Sequence, residues 1–357
     1  MKILIKLIYG FFFGIILCAS CSKDESSDLI CFNIEETEDE IIDFDEIFEI
    51  EKIVVLEETN ESLVSYIIKV DYVNNNYYIS DNRHSIILRF DDNGKFMNSI
   101  GSKGNGPGEV SRLTNFRIDK DNIYLMDRAK VVIYKKDGTF IDECSKLYYT
   151  IDFNYINDTY IFYNINVPSY DQFIKFDTTF SIIKKFSPHR ESPLVMGMLG
   201  RNYLFHHESE NFFTYPYSDT IYRLSDTIST PFISYGFGEY KFTDFNGLLN
   251  NSSNENMSNK SYSYKDFFFR NYIICSIVKN GRSELFIYDR TSNNSLLIDS
   301  LYNGPDLINN ANLHNITSDG LFCWGYSVIS ENEEFKDLLE GLETNGNDVL
   351  ILTRLKL

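Results

Sequence analysis

Residues 77–101 read YYISDNRHSIILRFDDNGKFMNSIG, and residues 123–143 read IYLMDRAKVVIYKKDGTFIDE. The two stretches align as copies of one unit. Ile79-Ser80-Asp81 matches Leu125-Met126-Asp127, and Leu88-Arg89-Phe90 matches Val132-Ile133-Tyr134. Gly94 matches Gly138, and Phe96 matches Phe140. Each copy reads strand, polar loop, strand, glycine turn, strand. Asn93-Gly94 and Asp137-Gly138 are hairpin signals, because glycine accepts the positive φ that such a turn imposes.

The cadence continues down the chain. It recurs in residues 160–186, with Asp177-Thr178-Thr179 at the turn, and in 203–235, which contains SDTIYRLSDTISTPFISY. It recurs again in 271–301, with Ser292-Asn293-Asn294 in place of the glycine turn, and in 313–357, interrupted by a helix-like insertion at 333–342. A period of roughly 40–50 residues with four short strands per unit is the signature of a β-propeller. Counting the copies predicts six blades, at about 47–101, 113–143, 145–187, 195–238, 267–302 and 313–357. The competing architecture is a β-sandwich with a second small domain. The ring must close, and the apolar stretches 28–33 and 44–56 are the candidates to lend a strand to the last blade. Twenty-five Tyr and 29 Phe, cut by frequent Asn and Asp, suit strands and turns rather than helices. The fold class is therefore all-β: a six-bladed β-propeller of four-stranded antiparallel blades.

The run ISDNRHSIILRFDDNGKFMNSIGSKGNGPGEV (79–110) resembles the six-bladed β-propeller lipoproteins of Bacteroidetes, which are NHL-repeat-like in shape. SDTIYRL (218–224) and NDVLILTRLKL (347–357) resemble later blades of that family. The resemblance implies the fold and, since fold does not fix function, little about activity.

The first twenty residues read as a targeting device. Lys2 and Lys6 precede the apolar run 7–17, which is too short to span a bilayer and suits a signal-peptide core. Ala19-Ser20-Cys21 resembles a lipobox, with Cys18 where Leu is usual. The expected organisation is signal peptide at 1–20, an acidic tether at 21–40 starting with lipidated Cys21, and the propeller at 41–357. The residues 22–28, SKDESSD, resemble the acidic tag that sends Bacteroidetes lipoproteins to the cell surface. Any solvated tether would have a similar composition, and the periplasmic leaflet is the alternative address. The expected partner is thus the outer membrane, through palmitate or another lipid on Cys21.

The chain carries a net charge of −19, and −21 once Lys2 and Lys6 are removed. That field repels phosphate backbones and excludes nucleic acid as a partner. Cys31, Cys144, Cys275 and Cys323 are too widely spaced for a zinc framework, and export permits either disulfides or thiols. The GNGPGE stretch at 104–109 lies between strands and lacks the Lys-Ser/Thr of a phosphate loop, so it reads as a blade-to-blade link. No Gly-x-Ser-x-Gly elbow or His-Glu-x-x-His motif occurs among the five histidines, and no catalytic residue, metal ligand or cofactor is assigned. Asp119-Lys120-Asp121-Asn122 reads as a hairpin turn.

One constellation points to binding. In a propeller, the loop between the second and third strands of each blade shares a face with the blade-to-blade links. In this acidic chain those segments bring Arg83, His84, Arg128, Lys130 and Arg282 to that face. The first link adds Arg112, and Arg117 lies just inside the next strand. Arginine forks suit carboxylates and sulfates, so these seven residues predict an acidic glycan or an acidic partner surface. The plainer reading is a set of charged loop edges that keep the rim soluble. The aromatic runs Tyr148-Tyr149, Phe212-Phe213 and Phe267-Phe268-Phe269 suit either sugar stacking or blade cores. A non-catalytic binding propeller in the cell envelope is the expectation. The alternative is an NHL-like propeller enzyme, a metal-dependent lyase or lactone hydrolase.

Overall fold

The structure is a computed structural model. It describes residues 29–64, 67–81, 84–127, 129–145, 147, 150–164, 171–188, 201–225, 228–243, 260–280, 282–302, 313–316, 321–326 and 349–356. The signal peptide, Cys21, Arg83, Arg128, Tyr148, Tyr149 and the expected helix at 333–342 lie outside the described residues.

The chain starts with β1 (Ile30–Phe32), β2 (Glu40–Asp43), a single helical turn α1 (Phe44–Ile47) and β3 (Phe48–Val55). Blade 1 follows as β4 (Ile67–Val73), β5 (Asn76–Asp81), β6 (Ile87–Asp91) and β7 (Phe96–Ile100). Blade 2 is β8 (Asn115–Ile118), β9 (Asn122–Met126), β10 (Val131–Lys135) and β11 (Phe140–Cys144). Blade 3 is β12 (Thr150–Ile156), β13 (Thr159–Asn164), β14 (Phe173–Phe176) and β15 (Ile182–Phe186). Blade 4 is β16 (Leu204–His207), β17 (Glu210–Phe213), β18 (Thr220–Leu224) and β19 (Ser229–Tyr235). Blade 5 is β20 (Tyr262–Phe269), β21 (Tyr272–Lys279), β22 (Arg282–Asp289) and β23 (Asn294–Tyr302). Blade 6 takes β24 (Leu313–Ile316), β25 (Leu321–Tyr326) and β26 (Val349–Leu355), and its outermost strand is β3.

The ring therefore closes through residues from the start of the chain. β3 pairs antiparallel with β26, from Val349↔Val55 to Leu355↔Phe48. Of the two candidate closing stretches, 44–56 supplies this strand. The other goes elsewhere: β1 adds a fifth, parallel strand to β19 of blade 4, and β2 does the same to β23 of blade 5. Propeller pairing thus begins at Ile30, inside the stretch read as tether.

Six buried apolar clusters lie between the six pairs of neighbouring blades, and this makes the wheel self-consistent. In blade 1, Tyr77 and Ile79 face blade 6 while Tyr78 faces blade 2. In blade 5, Ile273 faces blade 4 and Ile274 faces blade 6. Successive strand residues point to opposite faces, so a sheet buried on both faces needs a continuous apolar run. This is why runs such as YYI and YIIC do not alternate. The aromatic pair Phe212-Phe213 belongs to these cores, one ring on each face of blade 4.

The hairpin turns repeat in detail. Gly94 (φ +81°) and Gly138 (φ +91°) donate to the carbonyls of Asp91 and Lys135, and each turn is followed by a bulge in the outer strand. Blade 3 puts Phe180 (φ +55°) in the same place. Its backbone strain is offset by burial against Tyr160, with ring centroids 4.9 Å apart. Blade 5 uses Asn293 (φ +58°), the residue type that tolerates this region best after glycine. The link 101–114 joins β7 to β8 as expected: Glu109 accepts from the Gly106 amide (2.8 Å), and Glu143 accepts from that of Gly108 (2.9 Å).

Candidate functional site

The innermost strand of each blade starts on the face that carries the links, so its first residues surround one end of the axis. In these short apolar strands, the polar residues sit at or near that end: Lys69 in β4, Asn115 and Arg117 in β8, Asp152 in β12, Ser263, Lys265 and Asp266 in β20. Arg201 and Asn202 stand just ahead of β16. Five different blades thus contribute to one cluster.

Asp152 is its hub. Fully buried, it accepts from Arg117 Nη2 (2.8 and 3.0 Å), from Asn115 Nδ2 (3.0 Å), and from the amides of Tyr203 (2.6 Å), Leu204 (2.8 Å) and Phe153 (2.8 Å). Arg117 also donates to the carbonyls of Phe153 and Leu204. One carboxylate therefore ties blades 2, 3 and 4 together. Lys69 Nζ reaches from blade 1 to Asn115 Oδ1 (3.1 Å), the Phe116 carbonyl (2.7 Å) and Asn202 Oδ1 (3.2 Å) ahead of the opposite blade. The axis at this level is crossed by side chains. It is a polar plug rather than an open tube.

On the far side of the plug, Arg201 Nη2 lies 3.4 Å from Ser263 Oγ and 3.5 Å from Asp266 Oδ2. Its guanidinium stacks over the Tyr203 ring. Asp266 accepts further from Ser263 Oγ (2.6 Å) and Tyr235 Oη (3.1 Å). Arg201 Nε and Nη1 are buried with no hydrogen-bond partner among the described residues. Lys265 Nζ donates to the Leu313 carbonyl of blade 6 (2.9 Å).

Among the described residues, cations outnumber carboxylates in the plug. Lys69, Arg117, Arg201 and Lys265 meet three carboxylates, those of Asp71, Asp152 and Asp266. Burial pushes the Lys69 amine down to about 8, against the pull of Asp71 at 3.6 Å. Burial, with Arg201 and Lys69 nearby, pushes Lys265 down to about 8 as well. Burial raises Asp71, which further weakens the negative side. Desolvation disfavours each charged form, as expected where charges are held away from water.

The residues singled out from the sequence fall into different places. Arg117 belongs to the plug and is engaged with Asp152. Lys130 is buried and held by Glu143 (3.1 Å) and the Gly106 carbonyl (2.8 Å), where it braces the link. Arg112 is exposed in that link, His84 is half-buried at the start of β6's loop, and Arg282 is exposed at the start of β22. Arg83 and Arg128 are outside the described residues. Lys69, Arg201 and Lys265 were missed. The available signal was a lysine inside an apolar strand, as in IIKVDYV and YSYKDFFF. Among the described residues, no three His, Cys, Asp or Glu side chains are placed to hold a metal ion. Cys144, Cys275 and Cys323 are buried thiols and Cys31 is an exposed one.

A family model described as "Domain of unknown function (DUF4934)" matches residues 29–354. No curated protein matches the sequence. Among solved structures, a protein of Bacteroides fragilis described as exported superposes with a TM-score of 0.69 at 20% identity, covering 92% of this chain and 100% of its own. A virginiamycin B lyase from Staphylococcus aureus gives 0.44 at 11% identity, over 72% of this chain and 76% of its own. The extracellular domain of a two-component system protein from Bacteroides thetaiotaomicron gives 0.42 at 14%, over 67% and 31%. The first of these shares the fold.

Proposed function

The chain belongs to the DUF4934 family, and from that premise we propose that it is an exported, lipid-anchored propeller that binds an acidic ligand or partner, without catalysis, at the link-bearing end of its axis. The observation that carries the reading is the buried Arg201 at one end of the axis, whose Nε and Nη1 have no partner among the described residues, in a chain of net charge −19. A buried charge without full compensation is costly, and an incoming anion relieves that cost. Arg83, His84, Arg112, Arg128 and Arg282 would surround the mouth and capture the ligand, while Arg117 and Lys130 hold the scaffold beneath it.

Export follows from residues 1–20, with Cys21 as the lipid acceptor and the propeller held off the outer membrane by a short acidic tether, on the cell surface. Cys21→Ser should move the protein from the membrane fraction to the soluble fraction and abolish labelling by a palmitate analogue. Unchanged labelling would remove the anchor from the account.

The test of binding is a comparison of acidic glycans (polygalacturonate, chondroitin sulfate) with neutral ones (dextran) on the detergent-solubilised full chain. The reading expects binding of the acidic set only, weakening with salt. It also expects at least a tenfold loss, roughly what one charge-assisted contact contributes, in Arg83→Ala/Arg128→Ala and in Lys265→Met. Equal binding of dextran, or acidic binding indifferent to all these substitutions, would overturn it.

A further inference from the structure

The outer edges of the six blades are not treated alike. β19 and β23 are each covered by a parallel fifth strand from the start of the chain, and blade 6 ends in β3, borrowed from the same region. Among the described residues, β3, β7, β11 and β15 carry no further strand. Of these four, β15 is singular, since β3, FEIEKIVV, carries two glutamates. It reads IIKKF, with Ile182 50% and Ile183 57% exposed, followed by Lys184 and Lys185. The β7 strand, FMNSI, is uncharged, and β11, FIDEC, is acidic.

An uncovered, apolar strand edge is a template for another strand. The lysines decide which one. They repel a second copy of the same edge and attract carboxylates. The protein contains its own example of such a docking: β2, whose sequence is EIID, lies along the outer edge of blade 5.

We propose that β15 of blade 3 receives an extended, acidic and apolar segment of a partner protein as a fifth strand. The backbone of the guest continues the sheet beside the bulge at Ile183, its apolar residues cover the exposed Ile182 and Ile183, and its carboxylates meet Lys184 and Lys185. This surface is on the rim of the wheel, away from the axis, and goes beyond the axial binding reading.

The test uses the full chain and two fluorescent peptides, Glu-Glu-Ile-Ile-Glu-Glu and Lys-Lys-Ile-Ile-Lys-Lys, whose paired residues match the paired isoleucines and lysines of the edge, read by anisotropy and by amide hydrogen exchange. The acidic peptide should bind, slow exchange in residues 182–186, and lose roughly tenfold in affinity on Lys184→Glu/Lys185→Glu. The same double variant should now prefer the basic peptide. These two side chains lie on a rim strand, so the variant retains its fold, which its circular dichroism checks. A failure of the acidic peptide to bind, protection elsewhere, or a preference that does not invert would overturn the proposal.

Discussion

Asp152→Asn is the substitution that most sharply probes the axis. The change keeps volume and removes one charge from the hub that Arg117, Asn115 and three backbone amides share. An amide offers one acceptor oxygen and presents donors at the other position. If the oxygen stays toward Arg117, Asn115 and Phe153, the amides of Tyr203 and Leu204 face an N–H group. If it turns the other way, the Asn115 and Phe153 donors lose their acceptor. Each orphaned buried donor costs about 1–3 kcal/mol. Breaking a buried ion pair by removing one partner costs about 3–5 kcal/mol. These overlap rather than add, so the expected loss is about 4 kcal/mol, a large share of the ~5–15 kcal/mol that holds a typical domain. The assay is urea unfolding followed by the fluorescence of Trp324, the single tryptophan, which is buried in blade 6 across the ring. A midpoint shift reported from that distant blade also tests whether the wheel unfolds as one unit. Pairing Asp152→Asn with Arg117→Met should recover at least half of the loss, because the uncompensated charge is removed too. A loss below about 1 kcal/mol, or no recovery in the double variant, would refute the keystone role given to Asp152.

Three further outcomes follow from the same structure. Gly94→Ala should cost about 1–3 kcal/mol in urea unfolding, because φ is +81° and a Cβ there would lie 2.2 Å from the Val55 carbonyl oxygen of the closing strand. Removing residues 29–56 should abolish cooperative unfolding, since β26 loses the whole β3 ladder, whereas removing only 29–33 should leave a closed ring with a lower Tm. Stability should respond to Lys69 at alkaline pH. Its folded pKa is about 8 and its ordinary value 10.5, so between those values the unfolded chain holds a proton that the folded one has released. Stability therefore rises with pH in that window, and the wild type should gain up to about 2 kcal/mol on Lys69→Met between pH 7.5 and 9.5 in parallel melts.

The repeat was legible because it is made of local signals. A glycine or asparagine with positive φ sets the hairpins of blades 1, 2 and 5, with Asp91 three residues before Gly94 and Asp137 directly before Gly138, and those signals are visible in a short window. The closing strand was legible as an apolar stretch left over at the start of the chain. The fifth strands β1 and β2 were not, because three or four residues carry too little pattern to say which edge they join. The axis was hidden for a different reason. Lys69 meets Asn115 and Asn202, which lie 46 and 133 positions away, and each of these side chains alone looks like an ordinary polar residue in a strand. Arg117 was picked out for its charge and its place beside a link. Its engagement with Asp152 depends on the neighbouring blade, which no spacing in the sequence announces.

Diffraction from crystals soaked in bromide, a heavy monovalent anion, tests the axial reading most directly. The account predicts an anomalous peak against the Nε and Nη1 atoms of Arg201, at the end of the axis shared with Lys265, and its loss in Arg201→Met. Bromide found only beside rim lysines, with the axial plug unchanged and empty of anion, would contradict it.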